Sequence, residues 1–311
     1  MEDIYIELQG NRVNDSMRVL VTGSGGQVGR LLVRQLEKTD WELMACDRAG
    51  LDITSKLDVF NVIEEFKPDV IINAAAYTAV DMAEKDKRNA YKVNGDGPKY
   101  LAQAASISGS VLFHISTDYV FSGDKKGLYI ESDEANPKGV YGLSKLSGEQ
   151  AVHEFCHKSI VLRTSWVFGE VGGNFVKTML RLAQDRDELR IVSDQYGGPT
   201  YAGDIANTLL LMIQHLESNG DLEWGTFHYS GHPYVSWYEF AQEIFKSAVR
   251  HKCLSVPPKL TPIRTEEYPT AAKRPSNSIL DCGKIKNQMD ILPSDWLREL
   301  NNVSNYCNGE E

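Results

Sequence analysis

The feature that most limits the fold is a glycine-rich turn near the start of the chain. It follows an apolar run at residues 19–21 and precedes residues 31–36, where leucine and valine recur at helical spacing. Within the turn, Gly23, Gly26 and Gly29 stand at regular intervals. The first glycine permits a tight turn, the second lets a phosphate approach the backbone, and the third lets the helix pack closely on the strand. This order predicts a dinucleotide-binding unit whose helix N-terminus faces a pyrophosphate.

A second strand and the residues that end it support this interpretation. The apolar run at residues 41–46 ends in Asp47, 18 positions after Gly29. A carboxylate placed there can bind the ribose hydroxyls of the adenosine, which favours NAD, whereas Arg48 beside it can accept the 2′-phosphate of NADP. We therefore expect the protein to use NADPH or NADH. The alternative is a glycine-rich surface turn followed by an unrelated acid. It does not explain why the turn lies between a strand and a helix, or why an acid ends the second strand.

Strand-like and helical segments alternate through the first half of the chain. Apolar strands are predicted at residues 70–76, 111–115 and 160–163. Because such strands suit a sheet covered on both faces, the pattern predicts an α/β fold of the Rossmann type, with a doubly wound parallel sheet. A long helix over about residues 87–106 is expected to be irregular near residues 95–98, where two glycines and a proline cluster.

The pattern loosens after about residue 169, which suggests a second unit. We predict an N-terminal tail at residues 1–16, a dinucleotide-binding domain at residues 17–169 and a smaller C-terminal lobe, mainly for substrate binding, at residues 170–311. Segments at about residues 196–230 are expected to return to the first domain. The smaller lobe would then cover the carboxyl ends of the strands, where open α/β sheets bind ligands.

Composition excludes several classes of function. The net charge of −10 disfavours binding to nucleic acid or to an acidic membrane surface. No apolar run approaches the ~20 residues of a membrane span, and the first 16 residues lack the apolar core of a secretion signal. The five cysteines are scattered and form no C-x-x-C motif. We therefore expect a cytoplasmic protein with reduced thiols and no nucleic-acid or membrane partner.

A candidate catalytic group lies near the middle of the chain. Tyr141 and Lys145 are four positions apart, hence neighbours on one helix face, and Thr117 ends the strand that precedes them. A free phenol has a pKa of ~10, and a nearby ammonium would lower that pKa. Tyr141 could then donate a proton to an oxygen that receives hydride, while Thr117 holds the same oxygen. His114 lies in an apolar run and is expected to be a packed histidine.

Several further motifs carry a resemblance that extends from residue 17 to about residue 300. These are GGQVG at 25–29, NAAAYTAVD at 73–81, STDYVF at 116–121, RTSWV at 163–167, DQYGGPT at 194–200 and RPSNS at 274–278. On these motifs the chain resembles the extended short-chain dehydrogenases/reductases, and within them the reductases of dTDP-linked keto sugars. The resemblance implies reduction of the C4 ketone of a dTDP-sugar substrate.

The resemblance also implies roles for individual positions. Thr117, Tyr141 and Lys145 would be catalytic, and Lys145 would also hold the nicotinamide ribose. The implied cofactor-binding residues are Gly23, Gly26, Gln27, Val28, Asp47, Arg48, Asp52, Ile53, Ala75, Ala76, Tyr77 and Thr78, together with Tyr141 and Lys145. The implied substrate-binding residues are Thr117, Asp118, Trp166, Asn174 and Arg274.

The sequence departs from the family at one feature. Some members are magnesium-bridged dimers that use carboxylates on the first helix and just after the G-x-P-T segment. Leu31 and Gly203 stand at those positions here, and neither can supply an oxygen side-chain ligand. We therefore predict no structural metal, and a homodimer is left open.

Two other functions fit part of the pattern. Another epimerase or reductase of sugar nucleotides would share the fold, but a fucose-type synthase would need a Cys and His pair in the cleft. The adjacent Cys156 and His157 look like a helix end instead. A non-catalytic NADP-binding regulatory subunit would also share the fold, including a segment similar to residues 225–231. Retention of Thr117 and the Tyr141 motif favours catalysis.

Overall fold

The protein is described by a computed structural model that covers residues 16–307. Apart from Ser16, the predicted N-terminal tail lies outside these residues. The strands are β1 (Arg18–Thr22), β2 (Glu42–Cys46), β3 (Val70–Asn73), β4 (Val111–Thr117), β5 (Ser159–Thr164), β6 (Val167–Phe168), β7 (Glu188–Val192), β8 (Tyr196–Gly197), β9 (Thr200–Tyr201), β10 (Gly225–His228), β11 (Val235–Ser236), β12 (Lys259–Ile263) and β13 (Asn277–Ser278).

The helices follow the strands in alternation over the first half of the chain. They are α1 (Gln27–Leu36), α2 (Lys56–Phe66), α3 (Val80–Ala83), α4 (Lys87–Tyr91), α5 (Gly97–Ser108), α6 (Val140–Phe155), α7 (Phe175–Asp185), α8 (Ala202–Asn219), α9 (Trp237–Arg250), α10 (Gly283–Met289), α11 (Trp296–Glu299) and α12 (Ser304–Cys307). None of the helices within residues 16–307 is both long and apolar enough to cross a membrane.

The main sheet has six parallel strands in the order β2-β1-β3-β4-β5-β10. The chain runs from β1 to β2 on one side and then crosses to β3 on the other, so the strand order reverses beside β1. Ligands of open α/β sheets bind in the crevice at such a reversal, outside the carboxyl ends of the strands. The predicted doubly wound Rossmann-type sheet is therefore confirmed.

Both faces of this sheet are covered, which explains its apolar strands. Helices α1 and α8 pack on one face, where Leu32, Leu36, Ile205 and Leu209 are fully buried. Helices α2, α5 and α6 cover the other face with a second apolar core. All residues of β3 and β5 are therefore buried, whichever side of the sheet their side chains point to.

The C-terminal half of the chain contributes to two cores. A separate apolar cluster includes Phe168, Phe240 and Trp296. It is enclosed by helices α7 and α9, the parallel strands β7 and β12, and the last helices of the chain. In contrast, α8 packs on α1, and β10 completes the main sheet beside β5. The chain therefore leaves the main sheet after β5 and returns to it within residues 202–228.

The predicted irregular helix is confirmed, and its cause is visible. A π-helical turn, Lys92–Asp96, separates α4 from α5. Its Asn94 is fully buried and binds the backbone of Tyr77 at both the N–H (2.8 Å) and the carbonyl oxygen (3.1 Å), as well as the Ser144 hydroxyl (3.0 Å). The wider turn lets this side chain face inward and tie the segment after β3 to α6.

The strand predicted at residues 70–76 is shorter than expected. It ends at Asn73, whose side-chain oxygen accepts a hydrogen bond from the N–H of Ala75 at 3.1 Å. This local bond replaces a strand pairing and turns the chain away from the sheet. The alanines that follow are therefore loop residues at the carboxyl edge of the sheet.

Candidate active site

The glycine turn after β1 is built so that the backbone comes close to a neighbouring loop. Gly23 has a φ of +71°, and a Cβ there would lie 2.4 Å from the backbone nitrogen of Ala75. A Cβ at Gly29 would lie 2.2 Å from the Gly23 carbonyl oxygen. Only glycine fits these two positions, so the turn places α1 directly beside the loop after β3.

The N-terminus of α1 is open toward the crevice. Gly26 is exposed and caps the helix without a side-chain hydrogen bond, and Gln27 and Val28 in the first turn are partly buried. The N–H groups of this first turn carry the positive end of the helix dipole. A helix end of this kind can hold a pyrophosphate, and a side chain at Gly26 would obstruct it.

The acidic residue after β2 is engaged by its own loop. One oxygen of Asp47, Oδ1, accepts hydrogen bonds from the N–H groups of Ala49 (3.0 Å) and Gly50 (2.9 Å). Arg48 beside it is exposed and free to move toward a phosphate. The structure thus holds Asp47 at the end of β2 and leaves a cation next to it.

Two of the implied cofactor-binding residues, Asp52 and Ile53, are placed differently from each other. Asp52 accepts hydrogen bonds from the Thr54 N–H and hydroxyl, and these bonds lower the pKa of its carboxyl group. Ile53 is 4 % exposed, and a Cβ at Gly97 would lie only 2.6 Å from its Cδ1. The Ile53 side chain is therefore part of the core, and only its backbone can face a ligand.

The loop after β3 lies beside the glycine turn. Ala75 and Ala76 are partly buried, Tyr77 is held through its backbone by Asn94, and Thr78 is exposed. The small alanines leave room above the glycine turn. The four residues predicted to run under the cofactor thus line one continuous edge.

The hydroxyl groups of Thr117 and Tyr141 lie together at the end of β4. Thr117 is 6 % exposed, and its Oγ1 donates a hydrogen bond to Asp118 at 3.0 Å. The same hydroxyl approaches the Tyr141 phenol and acts to lower its pKa, although burial outweighs this effect. Tyr119 packs edge-on against the Tyr141 ring at 5.4 Å.

The expected effect of Lys145 on the pKa of Tyr141 stays a prediction. In the described residues, burial raises the pKa of Tyr141 against a hydrogen bond from Thr117, and the charges of Asp118 and Tyr119 add to the rise. Lys145 Nζ instead donates to the carbonyl oxygen of Ile115 at 2.7 Å. Burial lowers the pKa of Lys145 to about 8, against the opposing effect of Glu149.

Asp118 is a buried carboxyl group at the same strand end. It is 4 % exposed, and burial raises its pKa to about 6 against hydrogen bonds from Ser278 and Thr117 that act to lower it. Ser278 belongs to β13, so a residue from the C-terminal part reaches the end of β4. The site therefore combines groups from both parts of the chain.

Trp166 follows β5 in a left-handed backbone conformation, with a φ of +48°. Its indole stacks on Trp237 at the start of α9, with ring centroids 3.5 Å apart and planes 7° from parallel. A Cβ at Gly197 would lie 2.5 Å from the indole. Trp237 thus covers one ring face and Gly197 lies against the ring, and these two contacts fix the orientation of the indole.

The two weaker substrate candidates both form contacts within the protein. Asn174 accepts from the Lys177 N–H to cap α7, and its side-chain nitrogen donates to Gln27 Oε1 at 2.9 Å. Arg274 forms an ion pair with Asp81 at 2.6 Å and donates to the Tyr119 hydroxyl at 3.1 Å. Each links the C-terminal part to the dinucleotide-binding part.

Two buried polar residues were missed by sequence reasoning as parts of the site. The packing of His114 is confirmed, but its ring also contacts Lys145, with Nε2 and Nζ 3.4 Å apart. Its other nitrogen contacts Asn73 at 3.0 Å. The one available signal was that both are polar residues within apolar strands that pair side by side in register.

The described residues offer few groups for metal binding or for thiol chemistry. Residues 16–307 contain no cluster of three or more His, Cys, Asp or Glu that could hold a metal ion. Leu31 is 5 % exposed in the core. Cys156 lies at the opposite end of α6 from Tyr141, about 22 Å along the helix, and burial raises the pKa of its thiol to about 11. It is not a cleft residue.

The sheet topology and the glycine turn define a Rossmann-type α/β protein. Residues 17–308 match the family described as RmlD substrate binding domain, and the chain belongs to this family. A dTDP-4-dehydrorhamnose reductase from Aggregatibacter actinomycetemcomitans is 51 % identical over 291 residues, which cover 93 % of this chain and 99 % of the relative. The resemblance inferred from the motifs is confirmed.

Solved structures lead to the same family. A dTDP-4-dehydrorhamnose reductase from Clostridium acetobutylicum superposes with a TM-score of 0.86 at 41 % identity, covering 93 % of this chain and 98 % of that chain. The enzyme of the same name from Bacillus anthracis, in complex with NADP, has a TM-score of 0.85 at 38 % identity, covering 93 % and 99 %.

Proposed function

We propose that this chain catalyses the NADPH- or NADH-dependent reduction of the C4 ketone of dTDP-4-dehydro-L-rhamnose to dTDP-L-rhamnose, in the cytoplasm. Membership of the family, and 51 % identity over nearly the full length of a reductase of this name, support the assignment. Five free cysteines within the chain fit a reducing compartment.

The crevice suits a dinucleotide. The uncapped N-terminus of α1 and the exposed Gly26 would hold the pyrophosphate, and Asp47 or Arg48 would meet the adenosine ribose or its 2′-phosphate. The backbone of residues 52–53 and the loop at residues 75–78 would line the rest of the cofactor. When bound, the cofactor supplies the hydride.

The protein's own side chains would donate the proton and orient the oxygen that receives it. Tyr141 donates it to the oxygen of the reduced ketone, and the Thr117 hydroxyl orients that oxygen. Because burial disfavours the phenolate that remains, a positive charge nearby is needed, and Lys145 four positions on in α6 is the group that can supply it. The ammonium form of Lys145 is therefore the active form.

The sugar nucleotide would lie between the two parts of the chain. Asp118 and Trp166 at the strand ends would contact the sugar, since a carboxyl group can bind hydroxyls and an indole can pack on a sugar face. Asn174 and Arg274 would face the diphosphate. For Arg274 this requires exchange of Asp81 for a phosphate oxygen. A homodimer stays a proposal that the family resemblance suggests, and sedimentation would measure it.

One observation carries the assignment. The Thr117 hydroxyl and the Tyr141 phenol lie side by side at the carboxyl edge of β4, with Lys145 on the same helix face as Tyr141. Two neighbouring hydroxyls at the end of a strand, with an amine one helical turn further along α6, are the groups that carbonyl reduction needs. They also argue for catalysis over a purely regulatory role.

The test is oxidation of NADPH or NADH with dTDP-4-dehydro-L-rhamnose generated in situ. Tyr141→Phe should lower kcat by about 10²–10⁴-fold because the proton donor is lost. Cofactor affinity, followed by fluorescence, should stay near that of the wild type.

Tyr229→Phe is the matched control, since Tyr229 is 3 % exposed in the core that also holds α8 and its hydroxyl lies outside the crevice. Full activity of Tyr141→Phe would refute the assigned acid. A wild-type protein that binds NADPH but never turns over any dTDP-, GDP- or UDP-keto sugar would refute the enzymatic function.

A further inference from the structure

A row of buried polar side chains crosses the centre of the sheet and ends at Lys145. Thr22 on β1 donates to Asn73 Oδ1 at 2.8 Å, Asn73 Nδ2 contacts His114 Nδ1 at 3.0 Å, and His114 Nε2 lies 3.4 Å from Lys145 Nζ. All four residues are at most 2 % exposed. Polar groups buried this deeply persist only when their hydrogen bonds are made.

The direction of each hydrogen bond in this row is fixed by the backbone. The N–H of Ala75 can only donate, and it binds Asn73 Oδ1 at 3.1 Å. The other atom of the amide, which faces His114, is therefore the NH₂ group, a donor without acceptor capacity. His114 Nδ1 must accept, so it carries no proton.

The neutral imidazole then holds its single proton on Nε2, which faces Lys145 Nζ. A doubly protonated ring would place its Nδ1–H against the NH₂ group of Asn73. In addition, burial and the neighbouring charge of Lys145 keep the pKa of His114 well below its usual range. An ammonium at Nζ would present a donor to a donor. An uncharged amine can accept from Nε2–H while it donates to the Ile115 carbonyl at 2.7 Å.

The other charged groups around Lys145 are few. On α6 itself, Tyr141 and Glu149 lie one turn to either side, and Glu149 is held by Arg163 of β5 in a bidentate pair. Asp118 after β4 acts on Tyr141, and His153 acts on His114. Glu149 favours the ammonium but is already paired, so its effect is partly neutralised.

We propose that His114 is a positioning residue that favours the uncharged form of Lys145 by directing its Nε2 hydrogen at Nζ, and that it thereby sets the pH above which the reductase loses activity. Asn73 is the residue that fixes the His114 tautomer. The consequence for catalysis rests on the proposed function, in which the ammonium form of Lys145 supports proton donation by Tyr141. The effect on Lys145 itself does not depend on that function.

The sign of the effect follows from the hydrogen bonds. Removal of the Nε2 donor, as in His114→Phe, should let Lys145 keep its proton to higher pH. Asn73→Asp should act in the same direction, because a carboxylate would accept from Nδ1–H and turn Nε2 into an acceptor for the ammonium. Lys145 should titrate near pH 8 in the wild type and at least one pH unit higher in both variants.

The first readout is independent of catalysis. In protein labelled with ¹³C at the lysine ε-carbon, an NMR titration without cofactor follows the protonation of Lys145, which is identified by the loss of its signal in Lys145→Arg. His228→Phe is the matched control, because His228 is equally buried but lies on β10, where it contacts the Tyr129 carbonyl. His228→Phe should leave the titration of Lys145 unchanged.

The second readout is the pH profile of kcat/KM for the keto sugar at saturating NADPH. A rise of one unit from about 8 increases the ammonium fraction at pH 9 about fivefold, so His114→Phe should gain relative activity at pH 9 by that factor. Unchanged titration of Lys145 in both His114→Phe and Asn73→Asp, or an equal shift in His228→Phe, overturns the proposal. If the wild type reduces no keto sugar, the proposed function fails, while the NMR titration still decides the role of His114.

Discussion

At the residue scale, the crevice depends on positions where a side chain cannot be accommodated. Gly23 combines a left-handed φ of +71° with backbone atoms of the loop after β3 only 2.4 Å from where its Cβ would lie. A larger residue would both strain the backbone and separate the glycine turn from Ala75. The loop and the turn together form the proposed cofactor site. A substitution at Gly23 should therefore affect both the stability of the protein and its affinity for the cofactor.

Gly23→Ala should lower the free energy of unfolding by about 3 kcal/mol and weaken NADPH binding at least tenfold, because both strain and a steric clash oppose the native turn. Gly109→Ala is the matched control, since Gly109 has a φ of +79° but no heavy atom within 4 Å of the added Cβ. It should cost only about 1 kcal/mol and leave NADPH affinity unchanged. Denaturant unfolding and fluorescence titration measure both, and equal losses in the two variants would contradict the role of the clash.

At the element scale, helix α6 carries both Tyr141 and Lys145, so its placement determines where the proposed proton donor lies. The helix approaches the π-helical turn at Gly148, where a Cβ would lie 2.1 Å from the Asn94 carbonyl oxygen. It approaches the strand-end turn at Gly142, where a Cβ would lie 2.2 Å from the Tyr119 carbonyl oxygen. Two backbone contacts therefore set the position of the helix face that carries Tyr141 and Lys145.

Gly148→Ala should move α6 away from the π-helical turn, lower the free energy of unfolding by about 2–3 kcal/mol and reduce kcat more than it changes KM. Gly95→Ala tests the same contact from the other side, but its Cβ would meet the Ser147 hydroxyl at 3.3 Å, a group that can rotate away. We expect Gly95→Ala to cost less than about 1 kcal/mol. Wild-type kcat in a stably folded Gly148→Ala protein would show that α6 tolerates the shift.

At the scale of the whole molecule, the C-terminal part is tied to the dinucleotide-binding part across the crevice. Arg274 reaches Asp81 and Tyr119, and Asn174 reaches Gln27 in the first turn of α1. These contacts span more than a hundred residues of sequence. They bring the proposed diphosphate ligands next to the proposed pyrophosphate cradle of the cofactor.

Two variants, Arg274→Met and Asp81→Asn, test whether Arg274 binds the substrate or only bridges the two parts of the chain. Both remove the same partly exposed ion pair, so each should change the free energy of unfolding by no more than about 1 kcal/mol. If Arg274 binds the diphosphate, Arg274→Met should raise KM for the sugar nucleotide about tenfold, while Asp81→Asn, which frees the guanidinium, should not raise it. An equal rise in both variants would assign Arg274 to bridging alone. Initial rates across substrate concentration give the comparison.

Much of the fold follows from local sequence patterns. Helix α9, Trp237–Arg250, is an example, because its apolar face and its capping box at Ser236 are both encoded within one segment. The glycine turn was equally predictable, since three glycines between an apolar run and a helix meet a purely local steric requirement. The Tyr141 and Lys145 pair was found for the same reason, as helical spacing alone makes them neighbours.

The chain by itself therefore determined the doubly wound sheet, the dinucleotide turn and the helix that carries the proposed acid. Only the tertiary structure decided what individual side chains contact: Lys145 contacts the Ile115 carbonyl and His114, Arg274 pairs with the Asp81 carboxylate, and the apolar Ile53 packs in the core. The physical reason is that spacing fixes contacts within a helix or a turn, whereas the protonation and contacts of a buried side chain depend on strands and loops that come together only when the chain is folded.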